Sequence, residues 1–177
     1  MKDTVSEMHL AVDALIEWSE LNRMNINSTK TKEMILGPFG EESPTPLLIA
    51  AKPVQRVSEY KFLGVTVNST MKWDDHVAVI TSKAAKRLWF LKKLKRAGVV
   101  REDLVYFCQA VVRPTLGYAC PAWHTSLTKE QTKSLEDIQR RALQVIVGNI
   151  PYEEACCKLN LPRLADRRHS LCRTLFQ

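Results

Sequence analysis

Asp74 and Asp75 are adjacent carboxylates, the single Asp-Asp pair of the chain. Neighbouring carboxylates of this kind can hold two catalytic magnesium ions, which clamp the attacking and leaving oxygens of a phosphoryl displacement. Such a centre needs a further acid nearby on a rigid element, and none is visible around this stretch. Asn68, Ser69 and Thr70 precede the pair, and a helical pattern follows it. Acids in a first helical turn oppose the positive end of the helix dipole, worth about 0.3–1 kcal/mol each. Capping and dipole compensation therefore account for Asp74 and Asp75 without a metal.

Downstream of the pair, Lys83, Lys86, Arg87, Lys92, Lys93, Lys95 and Arg96 place seven cations in 14 residues with no acid among them. The formal charge is −3 over residues 1–60, +7 over 61–97 and +3 over 98–177. So local an excess is the footprint of a site for a polyanion, or else a solvated helix face. Metal ligands are less well spaced. His76 and His124 have no second ligand at metal spacing. Cys157, His169 and Cys172 follow a C-x11-H-x2-C spacing that fits no usual zinc pattern. No metal is therefore expected. Five scattered cysteines without a framework spacing argue for reduced thiols in an intracellular compartment. A hydrophobic fraction of 45% with 25% charged residues is that of a soluble globular chain. No apolar run approaches the roughly 20 residues that span a bilayer, and the N-terminus lacks the compact apolar run of a signal peptide.

The elements that must position these residues follow from periodicity. Val5, Met8, Leu10, Val12, Leu15, Ile16, Trp18 and Leu21 give a rough helical stripe over 3–22. Short strands are expected around residues 24–36, with a loop over 38–46. LLIAAKPVQRV reads as an edge strand, because Pro53 bars a central place in a sheet. SEYKFLGVTVN is the best strand pattern, and Gly64 within it marks a bulge, a tight bend or close backbone approach. After residue 72 the pattern is helical. The steps from Val77 through Ile80, Ala84, Leu88 and Leu91 to Leu94 predict an amphipathic helix over 74–97, stopped by Gly98. A helix over 101–112 meets Pro114, which breaks or kinks it. Thr128 and Gln131 form a capping box before a helix that stops at Gly148. Pro151 and Pro162 suit the first turns of two last helices. Trp73, Trp89 and Trp123 read as packing anchors. The expected class is α+β: a small mixed-sheet lobe with one helix over 1–72, followed by an all-helical lobe over 73–177.

The motifs carry a resemblance. Tyr60-Lys61-Phe62-Leu63-Gly64-Val65 followed by Trp73-Asp74-Asp75-His76 resembles the palm-to-thumb passage of reverse transcriptases from non-LTR retrotransposons. Trp18, Asn25-Ile26-Asn27 and Lys30-Thr31-Lys32 resemble the passage that follows the family's catalytic hairpin. Arg113-Pro114 through Trp123 is similar to its RP-LEYACPVW segment, with Gly117 in place of the usual Glu. Leu135-Glu136-Asp137-Ile138-Gln139-Arg140-Arg141-Ala142-Leu143 resembles its LE-IQRRAL helix. Leu161-Pro162-Arg163-Leu164 with Arg167-Arg168 resembles its LP-L--RR ending.

The resemblance implies the palm's end (1–72) and the thumb and post-thumb region (73–177) of an RNA-directed DNA polymerase. The aromatic-Ala-Asp-Asp hairpin of the family is not among these residues, so a truncated fragment is expected, inactive by itself. It would need no cofactor of its own, magnesium belonging to the intact enzyme. By resemblance Lys30 is the candidate general acid toward pyrophosphate, with Lys32 as the alternative. Phe62, Leu63 and Gly64 would form the primer grip, and the basic helix would track the phosphates of an RNA template paired with a DNA primer. A zinc knuckle beyond the thumb, known in the family, is not matched by the Cys157–Cys172 spacing. A nuclear location is implied, with no membrane contact. The rival expectation is a nucleic-acid-binding or protein-interaction module without catalysis.

Overall fold

The computed structural model describes residues 2–37 and 44–175, with side chains over 7–37 and 44–174. The expected 38–46 loop and the side chain of Val5 lie in part or wholly outside the described residues. The chain divides into two compact units, Met1–Lys72 and Trp73–Gln177. The class is α+β.

The first unit opens with α1 (Lys2–Leu21). It ends where Arg23 turns left-handed at φ 54°, so that the Met24 N–H reaches back to the Ser19 carbonyl at 2.8 Å. This wide terminal bond satisfies a carbonyl that the helix end would otherwise leave open. Ser19 is buried on α1, whereas Met8, Leu10, Leu15, Trp18 and Leu21 are exposed. Among the described residues the rest of the unit forms three two-stranded ladders. Strands β1 (Lys32–Glu33) and β4 (Gln55–Arg56) pair parallel. Their register is locked by Arg56, which donates to both oxygens of Glu33 at 3.2 Å. Strands β2 (Leu48–Ile49) and β3 (Lys52–Pro53) pair antiparallel across Ala50-Ala51.

The third ladder revises the sequence reading. SEYKFLGVTVN is not one strand but a hairpin of β5 (Glu59–Phe62) and β6 (Val65–Asn68). Phe62 pairs with Val65, so Leu63 and Gly64 are the whole turn. Both sit at positive φ, 46° and 90°. Two-residue hairpin turns of type I′ require that sign at both positions, because it matches the twist of the flanking strands. Gly64 adopts it freely, whereas Leu63 is held in a region that costs a branched side chain about 1–2 kcal/mol.

The second unit is helical. Helix α2 (Asp74–Arg96) turns His76, Val77, Ile80, Ala84, Leu88 and Leu91 inward. Helix α3 (Arg101–Phe107) runs on through a π-helical turn, Cys108–Val112, into α4 (Arg113–Gly117). The π turn answers the Pro114 problem. Proline lacks an N–H and its ring crowds the carbonyl four residues back, and an i→i+5 turn relieves both while the helix continues. Two 3₁₀ turns, Cys120–Ala122 and His124–Ser126, lead to α5 (Lys129–Val147). The capping box at its start is formed, with Gln131 N–H on Thr128 Oγ1 at 3.1 Å and Thr128 N–H on Gln131 Oε1 at 2.9 Å. Then come α6 (Tyr152–Lys158) and α7 (Leu164–Leu175). Pro151 caps α6 rather than opening its first turn, and Pro162 lies two residues ahead of α7.

The core between α5, α6 and α7 contains a buried polar cluster. The Glu136 carboxylate accepts from the Tyr152 hydroxyl at 2.5 Å and from the N–H groups of Leu164 and Ala165 at 3.3 and 2.5 Å. It therefore caps the start of α7 from a different helix. Gln139 Nε2 donates to the Tyr152 oxygen at 2.9 Å and to the Pro162 carbonyl at 3.1 Å. Arg113 Nη2 donates to the same carbonyl at 2.9 Å. Burial, together with the bond to Glu136, pushes the Tyr152 phenol far above its usual range. Burial pulls the Arg168 guanidinium down, and the charge of Glu136 works against that shift. Nearby, His76 lies edge-on to the rings of Trp73 and Trp123, with centroids at 6.1 and 5.3 Å.

Two expectations follow. Glu136→Ala orphans three donors, two buried and one part-buried, at about 1 kcal/mol or more each. It should cost about 3 kcal/mol or more by urea denaturation, whereas Asp137→Ala, which loses a partly exposed pair with Arg140, should cost under about 1 kcal/mol. Equal midpoint shifts in the two variants would show that the cluster does not hold the unit together. The second concerns pH. His76 is lowered from its usual 6.5, first by burial and then by Lys83. His124 is lowered too, by burial, Arg168 and His169. The unfolded chain then binds more protons, so stability rises with pH. This contribution is complete above about pH 6.5 and is lost as pH falls through the lower folded values. Melting temperatures should decline below that point, and His76→Phe should flatten the decline.

Candidate nucleic-acid interface

Helix α2 is 23 residues long, about 35 Å at 1.5 Å per residue. Its inner face is fixed by the aliphatic residues above, and the basic residues divide between two tasks. Lys83, Lys86, Lys92, Lys93, Lys95 and Arg96 are exposed. Ser82, Lys86, Trp89, Lys93 and Arg96 fall at three- and four-residue steps, which align on one helix face. Arg87 is half-buried and turned inward. Its Nη1 donates to the Val111 carbonyl in the π turn at 2.5 Å and to Thr115 Oγ1. A π turn leaves carbonyls displaced from the regular ladder, and Arg87 satisfies one of them. Lys95 donates from Nζ to the Ile146 carbonyl at 3.3 Å. That places a cation at the negative end of α5, where open carbonyls favour it. Six of the seven cations are thus exposed, one of them, Lys95, tied to the end of α5, and Arg87 alone is turned inward to hold the helix against the π turn.

Trp89 does not pack. Trp73 and Trp123 are buried as the sequence suggests, but Trp89 is 55% exposed. Phe90 beside it is also 55% exposed. The two rings meet edge to face, with centroids 5.0 Å apart, and Lys93 Nζ lies 5.2 Å over the indole. The wheel position carried the signal, since Trp89 lies opposite the Ala84–Leu88–Leu91 stripe. Between α2 and α5 runs an open groove of about 410 Å³ lined by Ala78, Thr81, Ser82, Ala85, Ser134, Asp137, Ile138 and Arg141.

The Asp-Asp pair has a structural setting. Both acids are in the first turn of α2, which is capped by Trp73 without a side-chain bond. Asn68, one of the expected caps, instead accepts from the Lys72 N–H at 2.9 Å. Asp74 Oδ1 accepts from Gln131 Nε2 at 2.7 Å, so the starts of α2 and α5 are tied together. Among the described residues no three His, Cys, Asp or Glu side chains converge as a metal group. The donors at this pair do not suit two magnesium ions. Cys157 is exposed, and Cys172 is buried.

In the first unit Lys30 is exposed. Lys32 Nζ donates to Gln55 Oε1 at 2.5 Å and to the Thr29 carbonyl at 3.1 Å. The hairpin tip presents apolar surface, Phe62 being 62% and Leu63 76% exposed. Lys32 and Phe62 share the wall of a hollow of about 300 Å³ with Met34, Val57, Tyr60 and Val67. Lys30 does not line it.

No protein-family model matches the chain, and no solved structure matches it. Curated relatives do. A "Probable RNA-directed DNA polymerase from transposon X-element" of Drosophila melanogaster is 24% identical over 136 residues, 75% of this chain. The Pol polyprotein of the type-1 retrotransposable element R1 2 of Nasonia vitripennis is 22% identical over 170 residues, 83% of the chain. The RNA-directed DNA polymerase from mobile element jockey of Drosophila funebris is 22% identical over 163 residues, 88% of the chain. The chain is similar to the RNA-directed DNA polymerases of non-LTR retrotransposons. It spans 14%, 42% and 17% of the length of these three.

The residues that carry the resemblance to reverse transcriptases now have visible tasks in the second unit. Arg113, Glu136, Gln139 and Pro162 meet in the buried cluster, and Arg168 packs over Trp123 with its guanidinium 5.9 Å from the ring centre. At Gly117, where the resemblance has Glu, a Cβ would stand 3.3 Å from Arg167 Nη1. No helix among the described residues is long and apolar enough to cross a membrane.

The division of cations is testable by mutation. Arg87→Ala should lower stability by about 1 kcal/mol or more, because the part-buried Val111 carbonyl and Thr115 hydroxyl each lose a charged donor, only the bond from Thr115 to that carbonyl remaining. Lys92→Ala should stay within about 0.5 kcal/mol of wild type, as exposed substitutions do. Paired urea melts decide it, and matching midpoints would erase the distinction.

Proposed function

We propose that this chain binds the template-primer duplex of a non-LTR reverse transcriptase, the outer face of α2 lying along its phosphates. The observation that supports this reading is the array of Lys83, Lys86, Lys92, Lys93 and Arg96, exposed across the solvent-facing half of one helix. It extends about 20 Å and has no acid between its ends. Contacts of this kind neutralise phosphates and release counterions, so they bind without regard to sequence and weaken steeply with salt. An RNA–DNA hybrid is read in this way, by backbone and shape.

The exposed hairpin tip serves as the primer grip. Gly64 has no side chain to keep a sugar-phosphate strand away, and Phe62 supplies an apolar wall. Lys30, exposed on the first unit, stands as the candidate general acid toward pyrophosphate. Lys32 is the weaker candidate, its ammonium being bonded to Gln55. These 177 residues hold the nucleic acid and do not by themselves perform the chemistry, which needs the magnesium-binding acids of a complete polymerase. They act in the nucleus, where such elements integrate. A second reading, association with another protein surface, draws on the exposed apolar face of α1.

An RNA–DNA hybrid titrated by fluorescence anisotropy should bind, with affinity falling by orders of magnitude between low and physiological salt. Lys86→Glu, Lys92→Glu and Lys93→Glu together should abolish binding, and each single Ala replacement should reduce the salt slope by about 1. The chain alone should extend no primer with magnesium and nucleotides. Affinity unchanged by the triple reversal removes α2 from the interface, and primer extension that stops in Lys30→Ala overturns the claim of inactivity.

A further inference from the structure

The outer face of α2 is more than a row of charges. At its middle are two aromatic rings that the fold could have covered and does not. Trp89 and Phe90 are each 55% exposed. They hold one another edge to face at 5.0 Å, which limits how either ring can turn. Lys86 and Lys93 lie one turn to either side of Trp89 on the same stripe, and Arg96 continues it. Lys93 already rests over the indole at 5.2 Å. An exposed pair of large rings is costly to leave in water unless something covers it. The surroundings say what kind of thing. A neutral apolar partner would have to bury five cations without counter-charges. A polyanion without planar groups would leave the rings uncovered. Unpaired nucleotides satisfy both demands, offering a flat base to the ring and a phosphate to the lysine one turn away.

We propose that Trp89 and Phe90 form a stacking platform for unpaired bases, with Lys86, Lys92, Lys93 and Arg96 gripping the flanking phosphates. This rests on the reading of α2 as a nucleic-acid interface and specifies it. The face prefers single-stranded RNA or DNA, such as the unpaired stretch beside a hybrid, to the sides of a blunt duplex. In a duplex the bases are stacked on one another and offer no free face except at the ends.

The test uses the full chain with three probes: fluorescein-labelled oligo(dT), a blunt RNA–DNA hybrid of equal length, and heparin, which has anionic charge and no bases. Trp89→Ala with Phe90→Ala should weaken oligo(dT) binding by about tenfold or more. Its salt slope, the hybrid affinity and the heparin affinity should stay near wild type. Oligo(dT) should also quench tryptophan emission in the wild type, and Trp89→Phe should remove that quenching while keeping most of the affinity. This second readout holds even if the double variant is unstable, and it separates Trp89 from the other exposed tryptophan, Trp18. Unchanged oligo(dT) affinity in the double variant overturns the platform, as does equal weakening toward heparin or quenching that persists in Trp89→Phe. The phosphate-tracking role of α2 survives those outcomes if the lysine reversals still abolish hybrid binding. Failure of wild-type chain to bind any of the probes at low salt overturns both.

Discussion

The carboxylate of Glu136 is the interaction on which the helical unit depends. A helix start leaves N–H groups without partners, and a buried start without acceptors would be prohibitively costly. The start of α7 is capped from another helix. Glu136, on α5, supplies both oxygens to its first N–H groups and takes the Tyr152 hydroxyl as well. One charged group therefore fixes the relation of α5, α6 and α7. Arg113 and Gln139 converge on the Pro162 carbonyl just ahead of α7, which extends the constraint to α4. Directional bonds of this kind select one arrangement among the many that apolar burial alone would allow.

With that frame set, α2 can be rigid on one side and open on the other. Its aliphatic stripe packs inward, Asp74 bonds the capping glutamine of α5, and Lys95 meets the far end of α5. The helix is thus held near both ends against the same neighbour. Arg87 secures the middle against the π turn. The remaining cations and the Trp89–Phe90 pair are displayed on a surface that cannot easily rearrange. A preformed surface loses less side-chain and backbone freedom on binding than a flexible one.

The resemblance to reverse transcriptases has a physical basis in the same cluster. Its most distinctive residues in this unit are the polar groups of a buried network, where a change in one partner strands the others. Those positions report the fold. The residues that would meet nucleic acid lie on solvent-facing positions, where many sequences can serve. Low identity spread along most of the chain is compatible with a shared framework presenting different surfaces.

Periodicity alone made the α+β class and the major helices of the second unit legible, because a stripe of Val77, Ile80, Ala84, Leu88 and Leu91 has one way to be buried. The capping box at Thr128 and Gln131 was legible for the same local reason, its bonds spanning three residues. The structural role of Asp74 and Asp75 followed from their place at a helix start. Other features depend on partners distant in sequence. That Ser58–Asn68 folds back on itself rests on two consecutive positive φ values, one of them at a leucine that propensity would never place there. That Arg87 turns inward and that Lys95 reaches α5 depends on carbonyls of the π turn and of α5, which no local pattern reveals. Trp89 read as core by residue type and is surface by helix face. The sequence by itself determined which segments are helices and where positive charge gathers, because those are local properties of neighbouring side chains. Only the tertiary structure decided which of those charges face water and which hold the fold, because that depends on what packs against each face of α2.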